Sequence, residues 1–299
     1  MRYGFHMRWG AALLTAALAA SLSTAAGQAV EDPLLAAAEA GNLAEVKALL
    51  DGGRDLHVRG VNGNTALHLA AMGGHAELIS YLVSRKAGVD ARNDFGETPL
   101  HRVDGRSAAG ALVDAGAMLE ARDTEFDMTP LFNADLEVSA FLIEKGAEVD
   151  ASGPQGMTPL IWACQSGFLE KVELLIENGA DVNAGGGKIK TALHAASNWG
   201  HVEIMRRLLV RDARIEARDG SGWTPLHWAA FEGGPEAAAL LIDRGADKNA
   251  RTLDGWSMFA AGSTPLDIAE RARFGMMVEF LRARGCKRGR DIRGPSRTR

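Results

Sequence analysis

One short motif recurs along this chain and constrains its fold more than any other feature. In its fullest form the motif reads Thr-Pro-Leu-His followed by a short apolar stretch, as in the segment that begins at Thr224. Copies begin near residues 32, 65, 98, 129, 158, 191, 224 and 264, and most successive copies lie 33 residues apart. A period of this length predicts a stack of repeated structural units.

Each copy has the composition of a helix pair. Threonine is a good N-cap, and a proline after it loses no helical hydrogen bond. A glycine turn such as Gly74 follows the first apolar stretch, and a second apolar stretch ends at a glycine such as Gly179, where a left-handed stop is cheapest. One helix pair cannot bury its apolar face alone, so the pairs are expected to stack.

These recurring segments resemble the ankyrin-repeat family over residues 32 to about 286. The resemblance implies an all-α solenoid of about eight helix-turn-helix repeats, with β-turn fingers projecting at one side of a curved stack. It also implies structural roles for the motif histidines, which bond within and between turns: His68, His101, His194 and His227. We expect a bacterial-type exported member of this family.

Two regions depart from the regular period. Repeats three and four, which begin at residues 98 and 129, lack three and four residues where their two helices join. Both are therefore predicted to be about a helical turn shorter. The last connector, from Gly245 to Thr264, has seven extra residues that include or adjoin Trp256, Met258 and Phe259. This insertion is either a hook for a partner or a flap over the last helix pair.

The chain termini predict export and a free tail. Residues 1–29 have the layout of a secretory signal peptide, with Arg2 and Arg8 before an apolar stretch, so we expect a periplasmic or secreted protein. The repeat domain is assigned to residues 30–286, and the basic segment 287–299 to a disordered tail. The mature chain is expected to lack a membrane span. Cys286 is left as a candidate for an intermolecular disulfide.

No pattern in the chain indicates an enzyme, a metal site or a cofactor site. The motif histidines belong to successive layers about 8–10 Å apart, whereas a metal needs ligands that converge on one point. Neither cysteine has a nearby histidine to activate it. The net charge of −5, with six basic residues concentrated after Cys286, leaves an acidic body that argues against nucleic acid as a partner.

The family resemblance points to a protein-binding face. Ankyrin repeats contact partners through finger residues just before the threonine and through the ends of the first helices. Carried over by position, these candidates are Phe95, Phe126, Met128, Met157, Asn198, Trp199, Trp223, Phe231 and Glu232, to which the insertion adds Trp256 and Phe259. Repeats five to seven, with Trp199, Trp223 and Phe231, are predicted to hold the hot spot. Trp162 and Trp228 are expected to face the core.

The predicted function is that of a non-catalytic scaffold or adaptor, expected to be a monomer, that binds another protein on its concave face. Two alternatives remain open. One is a structural or protective cell-envelope protein whose basic tail binds acidic surfaces. The other is a secreted effector that acts in a host.

Overall fold

Eight helix pairs follow one another in a computed structural model that describes residues 32–185, 190–255 and 259–292. No β-strand occurs within these ranges. The first helices of the repeats are Pro33–Glu39, Ala66–Met72, Pro99–Arg102, Pro130–Asn133, Pro159–Ser166, Ala192–Asn198, Pro225–Glu232 and Pro265–Ala272. The second helices are Leu43–Asp51, Ala76–Ser84, Arg106–Asp114, Leu136–Glu144, Leu169–Glu177, Val202–Val210, Pro235–Asp243 and Gly275–Ala283. The all-helical solenoid predicted from the repeat is confirmed.

The motif residues act as their chemistry predicts. The hydroxyl of Thr158 accepts a hydrogen bond from the backbone N–H of Ile161 at 3.3 Å, which caps the first helix of repeat five. That helix ends at Gly167, whose φ of 80° is left-handed and therefore suits glycine. The leucine at the third motif position is buried in all eight repeats and forms part of one continuous core: Leu34, Leu67, Leu100, Leu131, Leu160, Leu193, Leu226 and Leu266.

The loss predicted where the two helices join shortens the first helix in both short repeats. In repeat three this element is a four-residue 3-10 helix, Pro99–Arg102, and in repeat four it is Pro130–Asn133, also of four residues. The first helices of the other repeats have seven or eight residues. Both short repeats keep a nine-residue second helix. The first helices are therefore about one turn shorter in repeats three and four than in the other repeats.

A row of side-chain to backbone bonds joins the connectors of successive repeats, and we call it the connector row. In each case a carboxylate or amide oxygen accepts from the backbone N–H of a residue in the next connector. The pairs, acceptor first, are Asp90–Met118, Glu120–Glu148, Asp150–Asp181, Asn183–Arg214, Glu216–Asp247 and Asn249–Lys287. The row runs without a gap from repeat two to the end of repeat eight.

The start of the predicted tail belongs to the fold. Arg288 forms a paired interaction with Glu270, with nitrogen–oxygen distances of 2.6 to 2.9 Å, and the Thr264 hydroxyl donates to the carbonyl of Lys287 at 2.8 Å. Residues 287–292 are therefore not the disordered segment that the sequence suggested, because repeat eight supplies them with bonding partners. Residues 293–299 and the predicted signal segment lie outside the described residues.

Both cysteines are free and buried. Burial raises the pKa of the Cys286 thiol and so disfavours the reactive thiolate. The intermolecular disulfide considered for Cys286 is therefore not supported. Within the described ranges, no helix is both long enough and apolar enough to cross a membrane.

Candidate functional site

The fingers, which would carry a partner, are held by the motif histidines. His194 contacts the hydroxyl of its own Thr191 at 2.8 Å through Nδ1, while its Nε2 lies 3.0 Å from the carbonyl oxygen of Trp223, the last residue of the next finger. His68, His101 and His227 make the same pair of contacts in repeats two, three and seven. We call this link a histidine bridge. The structural role implied for these four histidines is confirmed.

Burial keeps these histidines neutral. It lowers the pKa of His194 and of His227 to about 4, because both rings are removed from water that would solvate the charge. A neutral imidazole offers one donor and one acceptor, which suits a threonine hydroxyl on one side and a carbonyl on the other. The chain contains no group of three metal-binding side chains among its described residues.

Two kinds of finger occur, and the motif position of the histidine decides between them. Where the histidine is present, the next finger begins with a polar residue such as Asp219, whose carboxylate accepts from the backbone N–H groups of Ser221 and Trp223 at 3.0 Å. Where that position is apolar, as at Phe132, the finger begins with glycine. A Cβ on Gly153 would lie 2.9 Å from the ring of Phe132, so a larger residue there would require the ring to shift.

Two further contacts tie neighbouring fingers together. In the arginine bridge, the arginine before one finger donates to the backbone carbonyl of the residue that precedes the next finger, as Arg92 does to Arg122 and Arg218 does to Arg251. In the tip bond, a backbone N–H at the tip of one finger donates to the preceding tip, as Thr124 does to the carbonyl of Phe95 at 2.9 Å. Fingers three, four, seven and eight, defined as residues 93–97, 123–128, 219–223 and 252–263, have such links.

The structure divides the predicted contact residues into three groups. Phe95 and Trp199 expose 40 % and 44 % of their surface, and Glu232 is also exposed. Phe126, Met157 and Phe231 are half-buried. Met128, Asn198, Trp223 and Phe259 are buried, and the expectation that they would be exposed is wrong. Trp256 lies outside the described residues, as do Met258 and most of finger six.

Trp223 is buried because an aromatic cluster closes over it. Its ring centroid lies 4.8 Å from that of Trp228, 5.9 Å from that of Phe231 and 5.3 Å from that of Phe259. Phe259 comes from the long insertion, so at this residue the insertion acts as a flap over repeat seven. The expected core positions of Trp162 and Trp228 are confirmed.

Met128 is buried in a second, smaller cluster. Its core contains Met128, Phe132, Ala151 and Trp162, and the half-buried side chains of Phe126 and Met157 pack against it. Asn198 is buried for a different reason. It lies at the end of a first helix that packs between the first helices of repeats five and seven.

Repeats five to seven retain an accessible patch of mixed character, which we call the central patch: Lys190, Trp199, Phe231 and Glu232. The Lys190 Nζ atom lies 3.4 Å from the centroid of the Trp228 ring, a cation–π contact. Burial lowers the pKa of Lys190 to about 8 and raises that of Glu232. Tryptophan, here the exposed Trp199, is one of the residue types enriched in binding hot spots.

Some exposed apolar residues were not predicted as contact residues from the sequence. Val61 and Leu253, at finger tips, and Phe168, between the two helices of repeat five, expose 75 %, 65 % and 55 % of their surface. The neighbouring short helix explains Phe168. Its equivalent His201 lies over Gly167 of the preceding repeat, whereas the first helix of repeat four ends too early, at Asn133, to offer such a position. The short spacing between the motif copies that begin at residues 129 and 158 indicated in the sequence that repeat four is short.

A cavity of about 700 Å³ lies beside the insertion and the start of the tail. Four arginines contribute to its lining, together with Asp267 and Glu270. Both carboxylates are used internally: Asp267 accepts from the backbone N–H of Gly289 at 2.8 Å, and Glu270 binds Arg288. The charged groups of this cavity thus anchor the chain after repeat eight.

Comparison with known proteins gives a consistent result. A family model described as ankyrin repeats, in sets of three copies, matches residues 34–123, 104–186 and 184–252. The chain is 31 % identical over 140 residues to a putative palmitoyltransferase ZDHHC13 of Danio rerio, with 44 % of this chain and 22 % of that protein covered. It is 36 % identical over 151 residues to the ankyrin repeat and SAM domain-containing protein 6 of Danio rerio, with 47 % and 20 % covered.

A solved structure gives the same likeness over more of the chain. The crystal structure of the ankyrin repeat domain of Bcl-3, titled a unique member of the IkappaB protein family, shares 30 % identity at a TM-score of 0.59. That match covers 71 % of this chain and 99 % of the Bcl-3 domain. By contrast, the chain spans only about a fifth of the length of the two curated relatives, so the match to the palmitoyltransferase is a match to a minor part of that protein.

Proposed function

Because this chain belongs to the ankyrin repeat family, whose domains generally mediate protein–protein interaction, we propose that it is a non-catalytic scaffold that binds a protein partner on its finger-bearing face. Ankyrin-repeat scaffolds are typically non-catalytic. The observation that carries this proposal is the central patch, where the packed first helices of repeats six and seven end with the exposed Trp199 and with the half-buried Phe231 and the exposed Glu232.

The central patch has the composition of a binding hot spot. Trp199 exposes 44 % of its surface, so binding can bury roughly 100 Å² of this large aromatic side chain, worth about 2–3 kcal/mol at ~25 cal/mol per Å². Lys190 and Glu232 add opposite charges, which favour a partner with its own paired charges over a purely apolar one. This arrangement supports a folded, mixed-polarity protein surface as the partner.

The test starts with affinity purification and identification of the partner by mass spectrometry, followed by measurement of its Kd with the purified protein. We expect Trp199→Ala to weaken binding by at least ~30-fold, which is ~2 kcal/mol. Met276→Ala is the matched control, because Met276 is 76 % exposed on the second helix of repeat eight, away from the patch. A Kd that Trp199→Ala leaves unchanged would overturn the assignment of this patch.

We also propose that the protein is exported and acts as a monomer. The composition of residues 1–29 supports export, with Arg2 and Arg8 ahead of an apolar stretch. The intact mass of protein from its producing cell should correspond to cleavage near residues 26–29, and a mass that includes Arg2 would contradict export. Light scattering during gel filtration should give the mass of one chain, and a dimer mass would contradict the second proposal.

A further inference from the structure

The cavity beside the insertion is lined by more positive charge than negative charge. Its volume is about 700 Å³, within the range of roughly 300–1,000 Å³ that is typical of ligand-binding pockets. Four arginines and two carboxylates line it, so two positive charges are in excess: Arg251, Arg271, Arg288 and Arg290 against Asp267 and Glu270. An excess of this sign favours an anionic ligand.

The two carboxylates are occupied by bonds within the protein. Asp267 accepts from the backbone N–H groups of Thr264 and Gly289 at 2.9 and 2.8 Å. Glu270 accepts from Nε and Nη2 of Arg288 at 2.7 and 2.6 Å, as a two-pronged pair. These bonds hold the chain after repeat eight, and they use one of the four arginines.

Two of the other arginines have donors to spare. Arg271, in the last turn of the first helix of repeat eight, is exposed and has no hydrogen bond or ion pair to another described residue. Among the same residues, Arg290 pairs only with its neighbour Asp291, at a nitrogen–oxygen distance of 3.9 Å that is too long for a hydrogen bond. A guanidinium carries five N–H donors in a planar fork, which matches the geometry of a carboxylate.

The cavity adjoins the central patch through one side chain. Phe259 lines the cavity, and its ring centroid lies 5.9 Å from that of Phe231, which belongs to the central patch. A partner that covers Phe231 therefore lies one aromatic ring away from the free guanidiniums. The two features can be contacted by one continuous protein surface.

The charge of the whole chain makes this cavity an exception. The net charge is −5, so most of the surface repels an acidic ligand. A local excess of positive charge then decides where an acidic segment of a partner can lie, and in this way it fixes the orientation of the complex.

We propose that the cavity binds an acidic segment of the partner, whose carboxylates accept hydrogen bonds from Arg271 and Arg290. The inference rests on the proposed function, because the partner that covers the central patch supplies the segment. Two neighbouring aspartates or glutamates balance the two positive charges in excess. The ring of Phe259 offers an apolar wall for the stems of these side chains.

Titration of the full chain at pH 7 with a capped hexaglutamate peptide tests the site without the partner. Calorimetry should detect binding of hexaglutamate and none of hexaglutamine. Exposed ion pairs are screened by salt, so the Kd should rise at least ~5-fold between about 0.05 and about 0.3 M sodium chloride. Equal binding of the two peptides, or binding of inorganic phosphate without binding of hexaglutamate, would overturn the inference.

A pair of double variants locates the binding site. Arg271→Gln combined with Arg290→Gln should raise the Kd for hexaglutamate at least ~10-fold, because both fork donors are lost. Arg211→Gln combined with Arg244→Gln removes the same charge from two exposed helix C-caps outside the cavity and should change the Kd by less than ~2-fold. Equal losses in the two double variants would indicate general attraction to charge and would overturn the site.

An added carboxylate provides a second, independent variant that keeps all four arginines. Ala261 is exposed and lines the cavity, so Ala261→Glu should occupy the free guanidiniums and raise the Kd for hexaglutamate at least ~5-fold. Ala48→Glu adds the same charge at an exposed position of repeat one and should change the Kd by less than ~2-fold. A Kd that Ala261→Glu leaves unchanged would contradict the proposal.

The partner itself separates this inference from the proposed function. Trp199→Ala should weaken the partner but leave the Kd for hexaglutamate within ~2-fold, whereas the Arg271 and Arg290 double variant should weaken both at least ~10-fold. If that double variant weakens hexaglutamate alone, the cavity is no part of the partner site and the inference is overturned, while the central patch stands. If Trp199→Ala leaves the partner unaffected and the double variant weakens it, the central patch is overturned and the cavity stands.

Discussion

Lys171 Nζ lies 2.9 Å from the carbonyl oxygen of Leu131, so a buried ammonium of one repeat caps the shortened first helix of the repeat before it. Phe132 and Ala134 present two more carbonyls to the same atom. Three acceptors match the three N–H groups of a charged lysine. The carbonyls that a full-length helix would have bonded internally thus receive donors from Lys171, and these bonds offset part of the cost of burying its charge.

Replacing this lysine should destabilise the protein. Lys171→Met keeps most of the side-chain volume but leaves three carbonyls without their donor, and we expect a loss of about 2–4 kcal/mol in the free energy of unfolding. Lys145→Met is the control, because Lys145 is exposed at the C-cap that follows the second helix of repeat four and should change stability by less than ~0.5 kcal/mol. Urea denaturation followed by circular dichroism measures both, and similar values for the two variants would contradict the prediction.

The same lysine predicts a dependence of stability on pH. Burial lowers the pKa of Lys171 to about 7 from its usual 10.5, although the nearby Asp135 carboxylate acts in the opposite direction. Between pH 7 and pH 10.5 the unfolded chain then binds more protons at this site, so stability should increase as the pH rises through this range. Wild type minus Lys171→Met isolates the contribution, since Lys190 and the other titrating groups are common to both. A difference that stays constant from pH 7 to pH 10 would contradict it.

The neutral histidines predict a loss of stability at acidic pH. Burial lowers the pKa of His194 and His227 to about 4, below the usual 6.5, so the unfolded chain binds more protons as the pH falls from 6.5 to 4. Each should withdraw roughly 2–3 kcal/mol of stability over that range. His227→Gln should flatten the profile measured by urea denaturation, whereas the exposed His57→Gln should not. A profile that His227→Gln leaves as steep as that of the wild type would argue against this assignment.

Two threonines at equivalent motif positions should respond differently to loss of their hydroxyl. Thr224 Oγ1 contacts His227 at 2.9 Å, whereas the buried Thr129 Oγ1 has no hydrogen-bond partner among the described residues, because Phe132 replaces the histidine. Thr224→Val should cost about 1–2 kcal/mol, and Thr129→Val should be neutral or stabilising. Thermal unfolding compares the two, and an equal loss in Tm would show that Thr129 is bonded after all.

The buried Trp223 and the exposed Trp199 should differ in their contributions to stability. Trp223→Ala should cost about 3–5 kcal/mol because it leaves a cavity inside the four-ring cluster. Trp199→Ala should change stability by less than ~1 kcal/mol, since its ring is 44 % exposed. Chemical denaturation of both variants checks this, and a small effect of Trp223→Ala would indicate that the insertion does not cover it.

Much of the site could be predicted from the repeat, but not which aromatics face solvent. Position within the motif placed Phe95, Trp199 and Trp223 together as contact residues, yet it does not say what the neighbouring finger presents to each ring. Phe259, thirty-six residues beyond Trp223, covers that ring. The sequence of the repeat that contains Trp223 does not indicate this contact. The pairing of Phe132 with Gly153 was visible in the sequence as a motif histidine lost where a finger glycine appears.

The sequence by itself determined the eight helix pairs and the shortened repeats three and four, because each follows from local chemistry repeated at a fixed spacing. The bonding role of the motif histidines was implied by the family resemblance, and their neutral state follows from burial in the tertiary structure. Only the tertiary structure decided which finger residues are buried, which fingers are bonded to each other and which carbonyls Lys171 binds. These outcomes depend on contacts between side chains about 30 to 40 residues apart, and the free energy of such contacts is set by how neighbouring repeats pack rather than by the identity of either residue alone.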